Sequence, residues 1–251
     1  MSRLAMVTGG AQGIGAEICR RLVADGMRVV VTDIQGDAAQ VVAGQLPGAG
    51  HDSAQMDVSS ETSVESAFAR VEDKHGPVSV LVCNAGILIL HDGQRLPIAQ
   101  TSLDEWERTH AINTRGTFLC ARAFLRSRTI TPVPHGRIIT FSSCAAQLGG
   151  YRSSAAYISS KSAILGFTKA LARESAGFGI TVNGIAPGLI DTAMLRMSMP
   201  PGQEAAATVA IPLGRLGETS DIAAVVSFLV SEQAAYVTGT MNDVNGGYRM
   251  Q

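Results

Sequence analysis

The sequence predicts an α/β fold: a single Rossmann-type, doubly wound parallel sheet of about seven strands with helices on both faces. Three observations predict it. Short, unbroken β-branched runs alternate with stretches of helical apolar spacing, which is how strands buried on both faces read. A glycine-rich turn, Thr8-Gly9-Gly10-Ala11-Gln12-Gly13-Ile14-Gly15, joins the first run to the first helical stretch. An acidic residue, Asp33, ends the second run, 18 residues after Gly15.

Taken in order, residues 4–8 form the first strand and 16–25 carry apolar residues at helical spacing. Residues 28–32 are the second strand and 54–56 a weaker third. Val64, Ala67, Phe68 and Val71 recur at i, i+3, i+4 and i+7, the mark of an amphipathic helix. Residues 78–83 give a fourth strand and 137–141 a fifth. Between them, Ser102 and Glu105 make a capping-box pattern that opens a helix running through Trp106 towards Arg128, past Asn113. A further helix over 155–172 contains only Lys161 and Lys169 as charges. A surface helix normally shows a charged face. This one is small or apolar almost all round, so the sheet is expected to cover one side and a second subunit the other, in a dimer or tetramer. Residues 180–184 and 240–244 complete the strands. Strands separated by helices imply right-handed crossovers. No composition shift or linker divides the chain, so 1–251 is expected to be a single domain with a substrate lid within about 188–215.

The 251 residues are 46% hydrophobic and 16% charged, which excludes a disordered chain. The net charge of −1 carries no basic block, so binding to nucleic acid or to an anionic membrane is not expected. Cys19, Cys83, Cys120 and Cys144 form no C-x-x-C, which points away from a zinc or redox pair and towards a reducing, cytoplasmic setting. No apolar run is long enough to span a membrane, and the run after Arg3 is too short for a signal peptide. No metal site is expected; His91 lacks ligand company and reads as a loop histidine.

The glycine turn suits a phosphate. Glycine lets the backbone turn sharply and lets a pyrophosphate approach without a Cβ in the way, at a helix N-terminus that favours negative charge. A P-loop is excluded because Ala16 and Glu17 follow where a lysine would be needed. Asp33 stands where a carboxylate accepts the adenosine ribose hydroxyls and repels a 2′-phosphate. Its neighbours Ile34 and Gln35 offer no cation. The expected cofactor is therefore NAD rather than NADP. Tyr157 and Lys161, at i and i+4, share one helix face. An ammonium beside a phenol favours the phenolate and lowers its pKa, so the pair suits proton exchange with an alcohol or ketone.

Together these landmarks resemble the short-chain dehydrogenase/reductase family. Thr8–Gly15 corresponds to its TGxxxGxG turn, and Asp57-Val58 follows the third strand. Cys83-Asn84-Ala85-Gly86 stands at its NNAG motif. Asn113 lies mid-helix, Ser142-Ser143 follows the fifth strand, and Tyr157 and Lys161 come next. Asn183 to Gly188 follow, with Thr192 beyond. The resemblance implies Tyr157 as general acid/base and Lys161 as the group that tunes it and holds the nicotinamide ribose. It implies Ser143, in preference to Ser142, as the partner of the substrate oxygen, and Asn113 as support for a water relay to Lys161. It implies a cofactor lining of Gly9, Gln12, Gly13, Ile14, Gly15, Asp33, Ile34, Asp57, Val58, Asn84, Ala85, Gly86, Pro187, Gly188, Ile190 and Thr192. The chain departs from the family pattern at Cys83, at Asn245 in Val244-Asn245-Gly246-Gly247, and in a longer stretch over 87–101 carrying His91, Asp92 and Arg95.

The implied reaction is a reversible, NAD-dependent oxidation of a secondary alcohol to a ketone. A 3-oxoacyl carrier-protein type of carbonyl reductase is the second reading, and a non-catalytic dinucleotide sensor the third. On the substrate side the loops carry Met194, Arg152 and Arg196. The methionine would offer an adaptable apolar wall and the arginines a clamp for an anionic group.

Overall fold

A computed structural model describes residues 2–150, 152–199 and 202–250. The chain begins with β1 (Leu4–Thr8), α1 (Gly13–Ala24), β2 (Arg28–Asp33), α2 (Gly36–Gln45), β3 (Asp52–Gln55), α3 (Glu61–His75) and β4 (Val80–Cys83). It continues with α4 (Leu103–His110), α5 (Gly116–Ile130), β5 (Arg137–Phe141), α6 (Cys144–Leu148), α7 (Ala155–Ser175) and β6 (Thr181–Pro187). The last elements are α8 (Ala193–Arg196), α9 (Glu204–Thr208), α10 (Thr219–Val230) and β7 (Met241–Val244).

The strands pair in the order β3-β2-β1-β4-β5-β6-β7, and every pair is parallel. Strand side chains alternate between faces. Leu4 and Met6 pack under α3, α5 and α7, with Val64, Phe68, Leu119, Phe124 and Leu171. Ala5 and Val7 pack on the other face under α1, α2 and α10, with Ile18, Leu22, Val42, Val226 and Leu229. Full burial of each such side chain contributes about 1.5–3 kcal/mol, so both helical layers are held by the alternation itself. Thr8 lies in register with Thr32 of β2 on one side and Cys83 of β4 on the other. The order reverses there, and the crevice at the carboxyl ends of β1 and β4 is where such sheets bind ligands.

The structure departs from the sequence reading in several places. β3 starts at Asp52 rather than 54, and β6 runs on to Pro187. Helices α2 and α10 had no expectation attached. The helix expected from Ser102 to Arg128 is interrupted by a π-helical turn, Ala111–Arg115. Its capping box is only half formed. Ser102 accepts from the Glu105 N–H at 3.1 Å, but the Glu105 carboxylate turns to His91 Nε2 at 3.0 Å. A complete box instead opens α10, between Glu218 and Asp221. The 188–215 segment carries α8 and α9 and buries Met199 fully; Pro200 and Pro201 lie outside the described residues. On α7, Tyr157, Ser160, Lys161, Ile164, Thr168 and Leu171 face inward, while Ala163, Gly166 and Ala170 are exposed.

Candidate active site

A cleft of about 450 Å³ runs over the carboxyl ends of β1 and β4 to α8, within the usual range for small-molecule sites. Its floor is the glycine turn. Gly9 and Gly13 hold positive φ of 62° and 51°, a backbone that other residues adopt at a cost. A Cβ on Gly9 would lie 2.8 Å from the Ala85 Cα, so this glycine allows the turn to meet the end of β4. Asn84 fastens that meeting by donating from Nδ2 to the carbonyls of Thr8 and Gly9 at 3.1 and 2.9 Å. The Ala85 N–H donates to Thr8 Oγ1 at 3.0 Å.

Side chains cap α3, α4 and α7 through Ser60, Ser102 and Ser154, whereas Gln12 gives α1 no side-chain cap. Gln12, Gly13 and Ile14 line the cleft, so the uncapped positive end of α1 faces it, and Gly13 looks across it to Thr192. This arrangement fits a dinucleotide pyrophosphate. Gly15 does not line the cleft. Its place is structural, since a Cβ there would lie 2.1 Å from the Gly9 carbonyl oxygen and 2.6 Å from Asn84 Nδ2.

Asp33 lies at the far end. Its carboxylate accepts from the Ala11 N–H at 3.2 Å and the Gln35 N–H at 3.1 Å. That fixes it over the turn. Ile34, Gln35, Met56, Asp57 and Val58 complete this end. Asp57 Oδ1 accepts from both the N–H and the hydroxyl of Ser59, at 2.9 and 2.7 Å. Among the described lining residues the only cations are Lys161 and Arg152, and neither neighbours Asp33 in sequence.

The other end gathers Ser143, Tyr157 and Lys161. Ser142 and Ser143 diverge. Ser142 is buried and donates to the Lys161 carbonyl at 2.8 Å, tying β5 to α7. Ser143 caps α6 by accepting from the Ala145 N–H at 3.2 Å. Burial pushes the Tyr157 phenol up to about 12, against the lowering effect of the Ser143 hydroxyl beside it. Lys161 Nζ donates to the Phe141 carbonyl at 3.0 Å and stands 6.0 Å from the Tyr157 ring centroid. Burial pushes the lysine itself down to about 8.

Asn113 sits on the π-helical turn, fully buried behind the cleft wall. Its Oδ1 accepts from the Ile87 N–H at 2.8 Å, and its Nδ2 donates to the Ile87 carbonyl and Ser160 Oγ, both at 3.0 Å. A Cβ on Gly86 would lie 3.2 Å from both Asn113 Oδ1 and Lys161 Nζ, so these two polar atoms flank Gly86.

Pro187, Gly188, Ile190 and Thr192 form the third wall. Thr192 caps α8 by accepting from the Leu195 N–H at 3.3 Å. A Cβ on Gly188 would lie 2.6 Å from the Asn245 Cβ. Asn245 folds the turn behind it, accepting from the Gly247 N–H and donating to the Arg249 carbonyl. That gives the asparagine at this position a structural account.

Of the substrate candidates, Met194 and Arg152 line the cleft. Arg196 does not, which corrects the expectation. Its Nε and Nη2 take both oxygens of Asp191 at 2.8 Å, and its Nη1 pairs with Glu204. It is consumed in holding α8 to α9. The sequence reading missed Ile112, Ser198 and the Phe141 carbonyl. Only the last had a signal, as the final residue of a strand already recognised.

Comparison with known proteins places this architecture. Residues 9–249 match the family model described as enoyl-(acyl carrier protein) reductase. The chain is 37% identical over 248 residues to the 3-oxoacyl-[acyl-carrier-protein] reductase FabG of Escherichia coli K12, covering 99% of this chain and 98% of that protein. It is 34% identical to a 2-dehydro-3-deoxy-L-rhamnonate dehydrogenase (NAD(+)) of a Sphingomonas species, covering 98% and 94%. The crystal structure of gox2181 superposes with a TM-score of 0.92 at 31% identity, covering 98% and 95%. That of a blue fluorescent protein from a metagenomic library, in complex with NADPH, superposes with a TM-score of 0.88 at 36% identity, covering 99% and 98%.

Proposed function

The chain belongs to the short-chain dehydrogenase/reductase family of oxidoreductases, and from that membership we propose that it exchanges a hydride between NAD(H) and a secondary alcohol or ketone. One observation carries the reading. Ser143, Tyr157 and Lys161 share a single cleft with the uncapped end of α1 and with Asp33.

A nicotinamide cofactor, when bound, supplies the hydride acceptor or donor. The chain's residues do the rest. The turn at Gly9, Gln12, Gly13 and Ile14 would hold the pyrophosphate, and Asp33 the adenosine ribose. Asp57, Val58 and Asn84 to Gly86 would line the adenosine side, and Pro187, Gly188, Ile190 and Thr192 the nicotinamide side. Ser143 would hold the substrate oxygen. The Tyr157 hydroxyl would take a proton from an alcohol or return it to a ketone. A phenol kept high by burial is a poor base by itself. Lys161 would act when it turns from the Phe141 carbonyl towards the tyrosine, with Asn113 supporting its proton supply.

NAD is preferred here because Asp33 faces the cleft with no described cation beside it. Of the relatives, one carries NAD(+) in its name and one was solved with NADPH. Reduction of a 3-oxoacyl carrier-protein thioester is the second reading, favoured by the name of the E. coli relative and opposed by Asp33. A catalytically silent dinucleotide sensor is the third. The test is absorbance at 340 nm with NAD or NADP, against secondary alcohols, diols, sugars, hydroxy acids, hydroxysteroids and 3-hydroxyacyl thioesters. NAD turnover that Tyr157→Phe abolishes while NADH still binds supports the proposal. NADPH-linked turnover of the thioester alone supports the second reading, and NADH binding with no turnover the third.

We further propose a homo-oligomer, dimer or tetramer, in which a second copy covers the small outer face of α7. Phe118 and Phe167 meet edge-to-face there, with centroids 6.3 Å apart. Light scattering at fixed concentration checks it. A cytoplasmic setting accords with four cysteines that are all buried and free. No described helix is long and apolar enough to cross a membrane, and neither membrane nor nucleic acid is proposed as a partner.

A further inference from the structure

A second, polar cavity adjoins the catalytic cleft. Its described lining is Gly93, Gln94, Arg95, Arg152, Ser198 and Gln203. Arg152 and Ser198 also line the cleft, so the two spaces meet at the Arg152 side chain. No carboxylate is among these lining residues. Other arginines of the carboxyl-terminal part are ion-paired: Arg196 with Asp191 and Glu204, Arg215 with Asp221, and Arg249 with Asp243. Arg95 and Arg152 have no acidic partner among the described residues. Arg152 spends one donor, Nη1, on the Ser198 carbonyl at 2.9 Å. That contact orients the guanidinium beside the end of α8 and leaves its other donors without a partner among the described residues.

Arg95 follows an anchored turn rather than a free loop. The His91 and Gln94 backbones exchange hydrogen bonds of 2.8 and 2.9 Å, and Asp92 adopts a φ of 50°. His91 Nε2 meets the buried Glu105 carboxylate at 3.0 Å. A Cβ on Gly93 would lie 3.0 Å from the Met197 carbonyl, so the turn abuts the end of α8. Two cations without counter-charges among the described residues thus border one polar cavity beside the proposed reaction centre, each from a separate part of the chain.

We propose that the substrate is an anionic hydroxy or oxo compound, its carboxylate or phosphate ester held between Arg152 and Arg95 while its carbinol or carbonyl carbon faces Ser143 and Tyr157. The proposal rests on the hydride-transfer reading of the same site. Guanidinium groups bind both oxyanions through paired N–H donors. A site built around such a charge discriminates strongly against a neutral analogue.

The test uses a series of methyl ketones bearing a carboxylate two to six bonds from the carbonyl. Each is matched with its methyl ester and with the corresponding phosphate monoester. Reduction is followed at 340 nm, and binding to the NADH-loaded protein by calorimetry. The readout is the ratio of acid to ester in each protein. For at least one chain length the wild type is expected to favour an anion by tenfold or more in kcat/KM and in affinity. The ratio should fall towards one in Arg152→Gln and at least threefold in Arg95→Gln, and recover partly in Arg152→Lys. Carboxylate and phosphate arms identify which oxyanion fits. Turnover with no anion preference at any length overturns the proposal and leaves the hydride-transfer reading standing. Arginine-dependent anion binding without turnover at any length supports an oxyanion site at these arginines but overturns the hydride-transfer reading, and with it the anion's role as substrate. A preference unchanged in both glutamine variants overturns the assignment to these residues.

Discussion

Lys161 offers the sharpest physical test of the site. Its ammonium is buried, with the Phe141 carbonyl as its hydrogen-bond acceptor at 3.0 Å, and burial takes its pKa from the ordinary 10.5 to about 8. At ~1.4 kcal/mol per unit, that drop corresponds to about 3 kcal/mol. A depressed pKa means that the folded protein binds the proton more weakly than the unfolded chain does. The lysine's contribution to stability is complete above about 10.5, declines as pH falls through the window from 10.5 to 8, and is flat below it. Lys161→Met removes this titration while keeping the stem. The stability of the wild type relative to Lys161→Met should therefore fall by about 3 kcal/mol between pH 10.5 and 7.5. In urea, with a slope of about 2–3 kcal/mol/M, the gap between midpoints should move by ~1–1.5 M. Both proteins are unfolded at one concentration and without cofactor, so that other ionisations cancel in the difference. A gap that stays constant from pH 7.5 to 10.5 would refute the picture of a lysine held against its charge.

Three further outcomes follow from the geometry. Asp33→Ala should lower kcat/KM for NAD by tenfold or more, about 1.4 kcal/mol, with little change for NADP; steady-state kinetics with both cofactors decides this, and equal losses would mean that Asp33 merely shapes the turn. Ser143→Ala should cut turnover by roughly 100-fold, whereas Ser142→Ala should cost about 1 kcal/mol of stability and leave turnover within a few-fold; the reverse pattern would exchange their roles. Gly15→Ala should destabilise the chain by about 3 kcal/mol, because its Cβ would meet the Gly9 carbonyl oxygen at 2.1 Å; an unchanged urea midpoint would show that the turn relaxes freely.

The strands were legible where burial dictates composition. β1 and β5 coincide with their expected bounds because both faces of each are covered and, Arg137 apart, apolar or β-branched residues fill them. β3 lies at the sheet edge and carries Asp52, Ser53 and Gln55, so its apolar signal was short and displaced. Helix α2 buries only Ala39 and Val42, too little to mark a periodic stripe. The glycine turn, Tyr157 and Lys161 were readable because their chemistry is local: a turn needs its glycines together, and an i, i+4 pair shares a face. The fate of Arg196 was not readable, since it depends on Glu204 arriving beside α8. Likewise, nothing in the spacing of Arg95 and Arg152 shows that they border one cavity. The Lys161–Phe141 bond depends on how α7 lies against β5, which spacing along one helix does not reveal.

The π-helical turn at Ala111–Arg115 has a consequence for how this chain tolerates insertions and deletions. Each residue of an α-helix advances the chain by about 100° and 1.5 Å. The extra residue in that turn sets the phase between α4 and α5, and both the end of α4 and the turn itself are fastened to α7: His110 Nε2 meets Ser159 Oγ at 3.1 Å, and Thr114 Oγ1 donates to the Ser160 carbonyl at 3.0 Å. Deleting one residue would restore ordinary helical winding but turn α4 by about 100° relative to α5. Either those ties or the packing of Leu119 and Phe124 beneath α5 would then be lost. The segment can exchange side chains, but its residue count works like the tooth number of a gear, and a one-step change would throw the helices on either side of Asn113 out of mesh.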